Sequence, residues 1–340
     1  MNLETFEVMS PSGSQRPFPS PELDAGPVRF VAGLRPKRSG TYRLEAITQG
    51  TKQVIHNYGH GGAGITMSWG CAEAVRELAL ATGLHPRETP VAVLGAGVMG
   101  LTSATLLCEA GFSPTLYASV APLASTSSIA GGPWSPSLVD YDPSPSGRDA
   151  FERILRHSLR SYEKLQGHGF GVQRRDLYTT IPSLSLSKLP HDIIPEQEPL
   201  AQLPFGRVKT PGFRYDTLMI EPLVLLARLE QDLRATGVSF ISRRFRSADE
   251  VEALAEPLVI NCTGLGSREI WPDTHLHPLK GQLAILPPQP SLEYLFSDQR
   301  GYVFPRSDGV VVGGTYTLEE DPSPDPAVGL RLIQQMKRWF

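Results

Sequence analysis

The chain has 340 residues, of which 40% are hydrophobic and 20% are charged, a composition that supports a packed core and excludes a fibrous or wholly disordered protein. Its 32 basic and 35 acidic residues give a net charge of −3, so we expect no nucleic-acid or anionic-membrane partner and favour small-molecule chemistry. Cys71, Cys108 and Cys262 never have Cys-x-x-Cys spacing, which predicts reduced thiols in a cytoplasmic protein.

The first twenty residues, 1–20, are rich in Ser and Pro, and we expect an irregular N-terminal arm there. They lack the basic region and apolar run of a signal peptide, and no window of the chain is apolar over the length that a bilayer requires. The tripeptide Ser187-Lys188-Leu189 is a peroxisomal address only at a C-terminus, and here it is internal. The sequence therefore predicts no membrane association.

A glycine-rich stretch, HNYGHGGAG at 56–64, precedes an amphipathic run that predicts a helix beginning near Trp69. His56 and His60 have the four-residue spacing of a zinc pair on a helix, but the glycines around them disfavour a helix. No third ligand type is near in sequence, so we predict no metal site.

Residues 90–119 follow the order strand, glycine turn, helix and strand that a dinucleotide-binding unit requires. Val91–Leu94 is expected to be a buried strand, and Gly95-x-Gly97-x-x-Gly100 opens the helix. In such a unit the three glycines allow the tight turn, the approach of a pyrophosphate and close helix packing, in that order. A structural glycine turn is the alternative, and dinucleotide binding is favoured over it.

The second strand of this unit ends at Ser119, where an Asp or Glu normally binds the ribose hydroxyls. No arginine is close in sequence to indicate a 2′-phosphate. A standard NAD or NADP site is therefore disfavoured, whereas a cofactor with many additional contacts, such as FAD, tolerates the missing acid better.

The rest of the chain alternates helix and strand patterns. Helical periodicity covers 147–166, 216–237 and 327–340, strands are predicted in 238–245 and 259–264, and the proline-rich stretch 181–212 reads as loops and short strands. We expect Leu218, Pro222, Leu225 and Leu229 on one buried face of the second helix.

Several of these segments resemble the D-amino-acid oxidase family. HNYGHGG at 56–62 is similar to its C-terminal flavin signature, GAGVMGL at 95–101 to its phosphate loop, and GLRP at 33–36 to the segment with the substrate arginine. AGGPWSP at 130–136, VINCTGLGS at 259–267 and GYVFPRSDGVVVGGTY at 301–316 resemble its other cofactor and active-site segments. The matches are spread over most of residues 21–340.

The motif order departs from that family, in which the glycine loop comes first and GLRP and HNYGHGG come last. A circular permutation is the simplest account, with TGLHPRET at 82–89 joining the old last helix to the old first strand. The resemblance implies an α/β chain in which a Rossmann-like FAD-binding domain is intertwined with a mixed-sheet substrate domain. The implied spans are 36–145 and 216–270 for the first, and 21–35, 146–215 and 271–340 for the second.

The resemblance also implies FAD as cofactor, an amino acid and O2 as reactants, and the option of a homodimer. Arg35 would bind the substrate carboxylate, because a guanidinium can donate two parallel hydrogen bonds to it, and Tyr302 would assist. The residues expected to contact FAD are Gly61, Gly62, Gly64, Ile65, Thr66, Gly95, Gly97, Val98, Met99, Gly100, Ser119, Ser125, Thr126, Gly131, Gly132, Phe245, Thr263 and Gly264. The family's lid tyrosine has no counterpart in 298–301, where Arg300 could instead face a side-chain carboxylate.

The implied reaction is oxidative deamination of a D-amino acid. Hydride passes from Cα to flavin N5, O2 reoxidises the flavin to give H2O2, and the imine hydrolyses to a 2-oxo acid and ammonia. Two alternatives stay open: a biosynthetic oxidase of glycine or another small amino acid or intermediate, because the lid tyrosine is missing, and a non-catalytic flavin-binding homologue, because of Ser119 and the permuted order.

Overall fold

Two β-sheets with helices packed on them organise the chain, and the computed structural model describes residues 18–183, 186–206 and 209–340. The strands are β1 (Arg29–Arg38), β2 (Arg43–Gln49), β3 (Lys52–Tyr58), β4 (Pro90–Leu94), β5 (Ser113–Ala118), β6 (Val172–Thr179), β7 (Glu198–Leu200), β8 (Gly212–Ile220), β9 (Ser239–Ser242), β10 (Leu258–Asn261), β11 (Leu276–Leu286), β12 (Leu295–Ser297), β13 (Tyr302–Arg306), β14 (Gly309–Gly313) and β15 (Thr317–Leu318). The helices are α1 (Gly64–Ala81), α2 (Val98–Glu109), α3 (Pro145–Leu165), α4 (Pro222–Ala235), α5 (Ala248–Glu252), α6 (Ser267–Ile270) and α7 (Pro326–Lys337).

The smaller sheet has the order β2-β3-β10-β4-β5-β9, and all its pairs are parallel except β2 with β3. Residues 91–94 of β4 and 258–261 of β10 are completely buried, as expected for parallel strands covered on both faces. Helix α1 packs against both α2 and α3 beside this sheet. This is the Rossmann-like part of the predicted fold.

The larger sheet has the order β1-β11-β14-β13-β12-β6-β8-β7, and β15 pairs with β11. Strands β1 and β11 run antiparallel over their whole length, from Arg29 opposite Ile285 to Arg38 opposite Leu276. Strand β12 is parallel to β6, whereas the other pairs in this sheet are antiparallel. The sheet is therefore mixed, as predicted for the substrate domain.

Two helix predictions had wrong starting points. Residues 216–220 of the predicted helix 216–237 belong to β8, and α4 begins only at Pro222. Proline suits the first position of a helix and pushes the residue before it into extended backbone, and Glu221 is extended. Helix α1 begins at Gly64, five residues before Trp69.

The predicted domain spans cut two strands. The boundary after residue 35 falls inside β1, and the boundary at 216 falls inside β8, although each strand lies wholly in the larger sheet. The division into two domains stays a prediction. Residues 1–17 of the predicted arm lie outside the described residues, and no described helix is long and apolar enough to cross a bilayer.

An aromatic cluster on the larger sheet holds both ends of the described chain. The ring of Phe18 contacts Tyr294 at 5.4 Å between centroids, and Phe340 stacks on Phe205 at 5.3 Å. Phe205 and Tyr294 stack on each other at 4.6 Å. Phe18 and Phe340 are thus neighbours of one pair of stacked rings.

The segment 130–135 connects the two sheets. The backbone N–H of its Trp134 donates to the Leu218 carbonyl at 2.7 Å, and the Arg306 guanidinium donates to the Ala130 carbonyl at 2.8 Å. At its other end the Thr66 hydroxyl donates to the Ser135 carbonyl at 2.9 Å and accepts from the Ser135 N–H at 3.0 Å. The segment is therefore bonded to β8 and β13 on one side and to α1 on the other.

Candidate functional site

A cavity of about 1180 Å³ is lined by residues of both sheets and of segment 130–135. Its volume exceeds the roughly 300–1,000 Å³ of a typical small-molecule site. It includes the ends of β4 and β5, the first turns of α1 and α2, and one face of the larger sheet. The space is sufficient for a large cofactor beside a small substrate.

The glycine turn after β4 has the geometry that dinucleotide binding requires. Gly95 adopts a φ of +102°, and a Cβ there would lie 2.4 Å from the Cys262 carbonyl oxygen. A Cβ on Gly100 would lie 1.8 Å from the Gly95 carbonyl oxygen, so this glycine permits close packing of helix on strand. Gly100 is not among the residues that line the cavity, and its contact with FAD stays a prediction.

Gly97 precedes the first residue of α2 and lines the cavity. The nearest atom to a Cβ there is the Ser127 hydroxyl oxygen at 3.1 Å, and that oxygen also accepts from the Val98 N–H at 3.0 Å. A helix N-terminus with exposed N–H groups attracts a pyrophosphate. Ser127 was not among the expected residues, although the run Ser-Thr-Ser-Ser at 125–128 is a polar signal beside it.

The first turn of α1 forms a second wall of the cavity. A Cβ on Gly64 would have no atom within 4 Å, whereas one on Gly61 would lie 2.1 Å from the Leu138 carbonyl oxygen. Gly61 is thus required by the crossing backbone, and Gly64 leaves room for a ligand. The Thr66 hydroxyl, expected to meet the flavin, is also bonded to Ser135; Thr66 lines the cavity, and its contact with the flavin stays a prediction.

The other residues expected to contact FAD converge on the same cavity although they are far apart in sequence. They are Gly62, Ile65, Met99, Ser119, Ser125, Thr126, Gly131, Gly132, Phe245, Thr263 and Gly264. With the open space at Gly64 and the glycine turn at Gly95 and Gly97, this groove fits a flavin dinucleotide.

Arg35 lies on β1 with its guanidinium directly above β11. Its Nη1 donates to the Thr315 carbonyl oxygen at 3.2 Å. A Cβ on Gly281 would lie 2.2 Å from both Nη atoms, so the guanidinium occupies the space that this glycine leaves. A guanidinium has five N–H donors, and the contact with Thr315 leaves donors for a carboxylate.

Tyr302 stands beside Arg35 in the cavity. Burial raises the pKa of its phenol, while Arg35 and Arg306 act in the opposite direction. Its ring stacks on Phe304 at 4.2 Å, and its hydroxyl oxygen lies 3.3 Å from the position of a Cβ on Gly131. The phenol is therefore protonated at neutral pH and can donate a hydrogen bond beside the guanidinium.

Three strands of the larger sheet contribute only uncharged side chains to the cavity lining. Strands β6, β8 and β12 contribute Leu177, Tyr215 and Ser297. Arg300 instead lines a separate cavity of about 480 Å³ together with Asp298. Arg300 is not among the residues that line the cavity with Arg35 and Tyr302, so the structure gives no support to the suggestion that it faces a side-chain carboxylate of the substrate, which stays a prediction.

The two histidines of HNYGHGG are buried among protein partners. The Asn261 Nδ2 donates to His56 Nδ1 at 3.0 Å, and His60 Nε2 lies 3.4 Å from the Cys71 sulfur. Burial lowers the pKa of each histidine to about 3. Among residues 18–183, 186–206 and 209–340 there is no group of three potential metal ligands.

Two arginines that sequence reasoning did not select lie beside Ser119. Strand β9 is parallel to β5, and the Arg243 N–H donates to the Ala118 carbonyl at 3.0 Å. Arg243 and Arg244 both line the cavity. They are more than a hundred residues from Ser119 in sequence, so only the strand pairing brings them together.

Comparisons with known proteins agree with this geometry. The family model "FAD dependent oxidoreductase" matches residues 13–78 and 90–340. A D-amino-acid oxidase of Streptomyces coelicolor is 29% identical over 257 residues, covering 73% of this chain and 77% of that protein. A human D-aspartate oxidase is 26% identical over 239 residues, covering 66% and 68%.

Solved structures share the fold. The glycine oxidase of Geobacillus kaustophilus superposes with a TM-score of 0.54 at 15% identity, covering 73% of this chain and 78% of that one. The glycine oxidase of Bacillus cereus gives a TM-score of 0.51 at 15% identity, covering 74% and 78%. With the family model matching nearly the whole chain, the protein belongs to the FAD dependent oxidoreductase family and is an FAD enzyme of the D-amino-acid oxidase type.

Proposed function

We propose that this protein oxidises a D-amino acid with an uncharged side chain, using FAD as the electron acceptor. The observation that carries the proposal is the pairing of Arg35 with Tyr302 in the cavity that the flavin groove opens into. A permanent cation and a protonated phenol together suit an α-carboxylate.

The residues of the chain bind and orient the substrate. Arg35 holds the carboxylate and Tyr302 donates a second hydrogen bond to it, while the missing side chain of Gly131 leaves room beside the Tyr302 hydroxyl. FAD, which the backbone at Gly64, Gly95 and Gly97 would hold, would supply a hydride acceptor for Cα and pass the electrons to O2 as H2O2. The imine left on the substrate side would hydrolyse to a 2-oxo acid and ammonia.

The side chains that β6, β8 and β12 contribute to the cavity support the choice of an uncharged substrate side chain. Leu177, Tyr215 and Ser297 offer apolar surface and a hydroxyl but no cation. A second carboxylate buried there would lack a partner, which is costly. We therefore expect D-alanine to be oxidised much faster than D-aspartate, although the chain is similar both to a D-amino-acid oxidase and to a D-aspartate oxidase.

A glycine-type oxidase is the second candidate, favoured by the short turn at 298–301. The Asp298 carboxylate accepts from the N–H groups of Arg300 and Gly301 at 2.7 and 2.9 Å, which closes the turn tightly and leaves no lid aromatic in it. Two of the solved structures with this fold are glycine oxidases. Turnover of glycine above that of D-alanine would favour this candidate.

The decisive experiment is anaerobic. Purified protein should carry a yellow flavin spectrum that bleaches on addition of D-alanine, and air should restore it with release of H2O2. Arg35→Ala should keep the flavin and lose the bleaching, whereas Arg29→Ala, an exposed arginine on the same strand, should bleach normally. Protein that stays yellow with D-alanine, D-aspartate and glycine would contradict an oxidase and favour a non-catalytic flavin-binding homologue.

We also propose the permuted chain order and the two-domain division. Two observations support them: the family model matches in two separate blocks, and Phe18 and Phe340 pack on neighbouring rings, so a short linker could join these regions. A rearranged gene that encodes residues 90–340, a linker and residues 21–83 should give protein with the same flavin spectrum. Loss of flavin binding in that protein would count against the permutation.

The cytoplasmic location and the homodimer are likewise proposals. The free thiols of Cys71, Cys108 and Cys262 support a reducing compartment. Fractionation of the source cells tests the location, and light scattering of the flavin-loaded protein tests the assembly.

A further inference from the structure

The adenosine end of the cavity has an unusual electrostatic character. In dinucleotide-binding folds the residue that ends the second strand meets the adenosine ribose, and an acid there binds the ribose hydroxyls. Here that residue is Ser119, which lines the cavity at the end of β5. Because β9 lies next to β5, Arg243 and Arg244 line the cavity at the same corner.

The two arginines differ in their partners. Arg244 pairs with Glu269 at 2.5 Å. Within the described part of the chain Arg243 has no carboxylate partner: its guanidinium lies 4.5 Å from the Phe245 ring centre and 3.5 Å from the Glu250 carbonyl oxygen. These three ionisable groups of the corner, Arg243, Arg244 and Glu269, leave an excess of one positive charge where an acid is usual.

The nearby acids are engaged elsewhere. The Glu256 carboxylate accepts from the Tyr117 hydroxyl at 2.9 Å and is buried, and the Glu250 carboxylate accepts from the Arg246 N–H at 3.2 Å. Neither of these acids lines the cavity. An incoming anion therefore meets an arginine without an ion pair, a serine hydroxyl and a second arginine that can share its bonds.

We propose that Ser119, Arg243 and Arg244 form an anion subsite that takes a phosphate carried on the ribose of an adenine nucleotide. An arginine at this corner is the usual means of accepting a ribose 2′-phosphate, and arginine–phosphate bonds are charge-assisted and directional. A nucleotide that carries such a phosphate competes with FAD for the groove. The proposal depends on the FAD groove but not on the amino-acid substrate.

The test is competition for FAD binding, with flavin fluorescence as the readout. Apoprotein prepared from the full chain is mixed with FAD in the presence of 5′-ADP, 2′,5′-ADP or 3′,5′-ADP. We expect one or both bisphosphates to inhibit FAD binding at a concentration about tenfold or more below that of 5′-ADP, since a hydrogen bond to a charged group contributes that much. The bisphosphate that inhibits at the lower concentration shows whether the subsite binds a phosphate on the 2′ or on the 3′ position of the ribose.

Variants distinguish binding at the subsite from non-specific electrostatic attraction of the nucleotides. Arg243→Ala should abolish the advantage of the bisphosphate, and Arg243→Lys should keep part of it. Arg246→Ala should keep all of it, because Arg246 is exposed on the same segment but does not line the cavity. Unchanged melting temperatures of the three variants establish that folding is intact.

Equal inhibition by the three nucleotides, or an advantage that survives in Arg243→Ala, would overturn the proposal. Titration calorimetry of the same nucleotides into apoprotein measures their relative affinities in the absence of FAD. A failure of the proposed function looks different: the wild-type protein would bind FAD and still not bleach with any amino acid.

Discussion

Replacing Gly281 by alanine moves the substrate guanidinium without removing its charge. The new Cβ would lie 2.2 Å from the Arg35 Nη atoms and 2.3 Å from its Cζ. Taking about 3.5 Å as a normal contact, the guanidinium must retreat by about 1.3 Å. Because it is the end of a flexible side chain, it can move without disturbing the β1–β11 pairing.

A displacement of about 1 Å at a reacting centre can reduce the rate about a hundredfold, equivalent to about 2.7 kcal/mol in kcat/KM. We therefore expect Gly281→Ala to bind FAD normally, to melt near the wild-type temperature and to lose about two orders of magnitude in kcat/KM for D-alanine. Steady-state peroxide assays and the rate of anaerobic bleaching give this value.

The matched control is Gly33→Ala, because Gly33 is the cross-strand partner of Gly281. A Cβ on Gly33 meets only Ile129, at 3.4 Å, an ordinary contact. This variant should retain most of the activity. Wild-type kcat/KM in Gly281→Ala, or an equal loss in both variants, would refute the placement of Arg35.

Three further predictions concern the cofactor turn, the phenol and acid stability. Gly100→Ala should lower both the melting temperature and the FAD content, because its Cβ would lie 1.8 Å from the Gly95 carbonyl oxygen and the backbone would have to move. Absorption spectra and thermal melts test this, and a wild-type melting temperature with wild-type FAD content would contradict it. Tyr302→Phe should keep FAD but lower kcat/KM about ten- to a hundredfold, the value of one hydrogen bond to a charged group; a peroxide assay at neutral pH decides. His56 and His60 bind a proton near pH 6.5 in the unfolded chain, but burial lowers their pKa to about 3 in the folded chain. The free energy of unfolding should therefore fall as the pH drops through 6.5, by about 2 kcal/mol per histidine at about pH 5. Equal free energies of unfolding in urea at about pH 8 and pH 5 would exclude this.

The local parts of the fold could be predicted from sequence because their signals are local. The glycine turn after β4 is specified by the requirements of Gly95 and Gly100 within ten residues of the strand, and both meet backbone atoms at distances that only glycine allows. The strand–turn–helix order needed no long-range information.

Errors arose where tertiary contacts override local pattern. Leu218 fits the helical spacing of 216–237, but it lies on β8, whose pairing with β6 decides the conformation. The bond of the Thr66 hydroxyl to Ser135 was not foreseen, because Ser135 is 69 positions away in sequence. Arg243 could not be associated with Ser119, since only the register of β5 with β9 makes them neighbours.

Segment 130–135 gives the molecule a mechanical property. Its backbone is bonded to β8 through Trp134, to β13 through Arg306 and to α1 through Thr66, while Gly131 and Gly132 line the flavin groove. Neither sheet can separate from the other without breaking bonds next to the cofactor. We therefore expect bound FAD to stabilise the larger sheet and α1 together, and to make the chain unfold as a single cooperative unit.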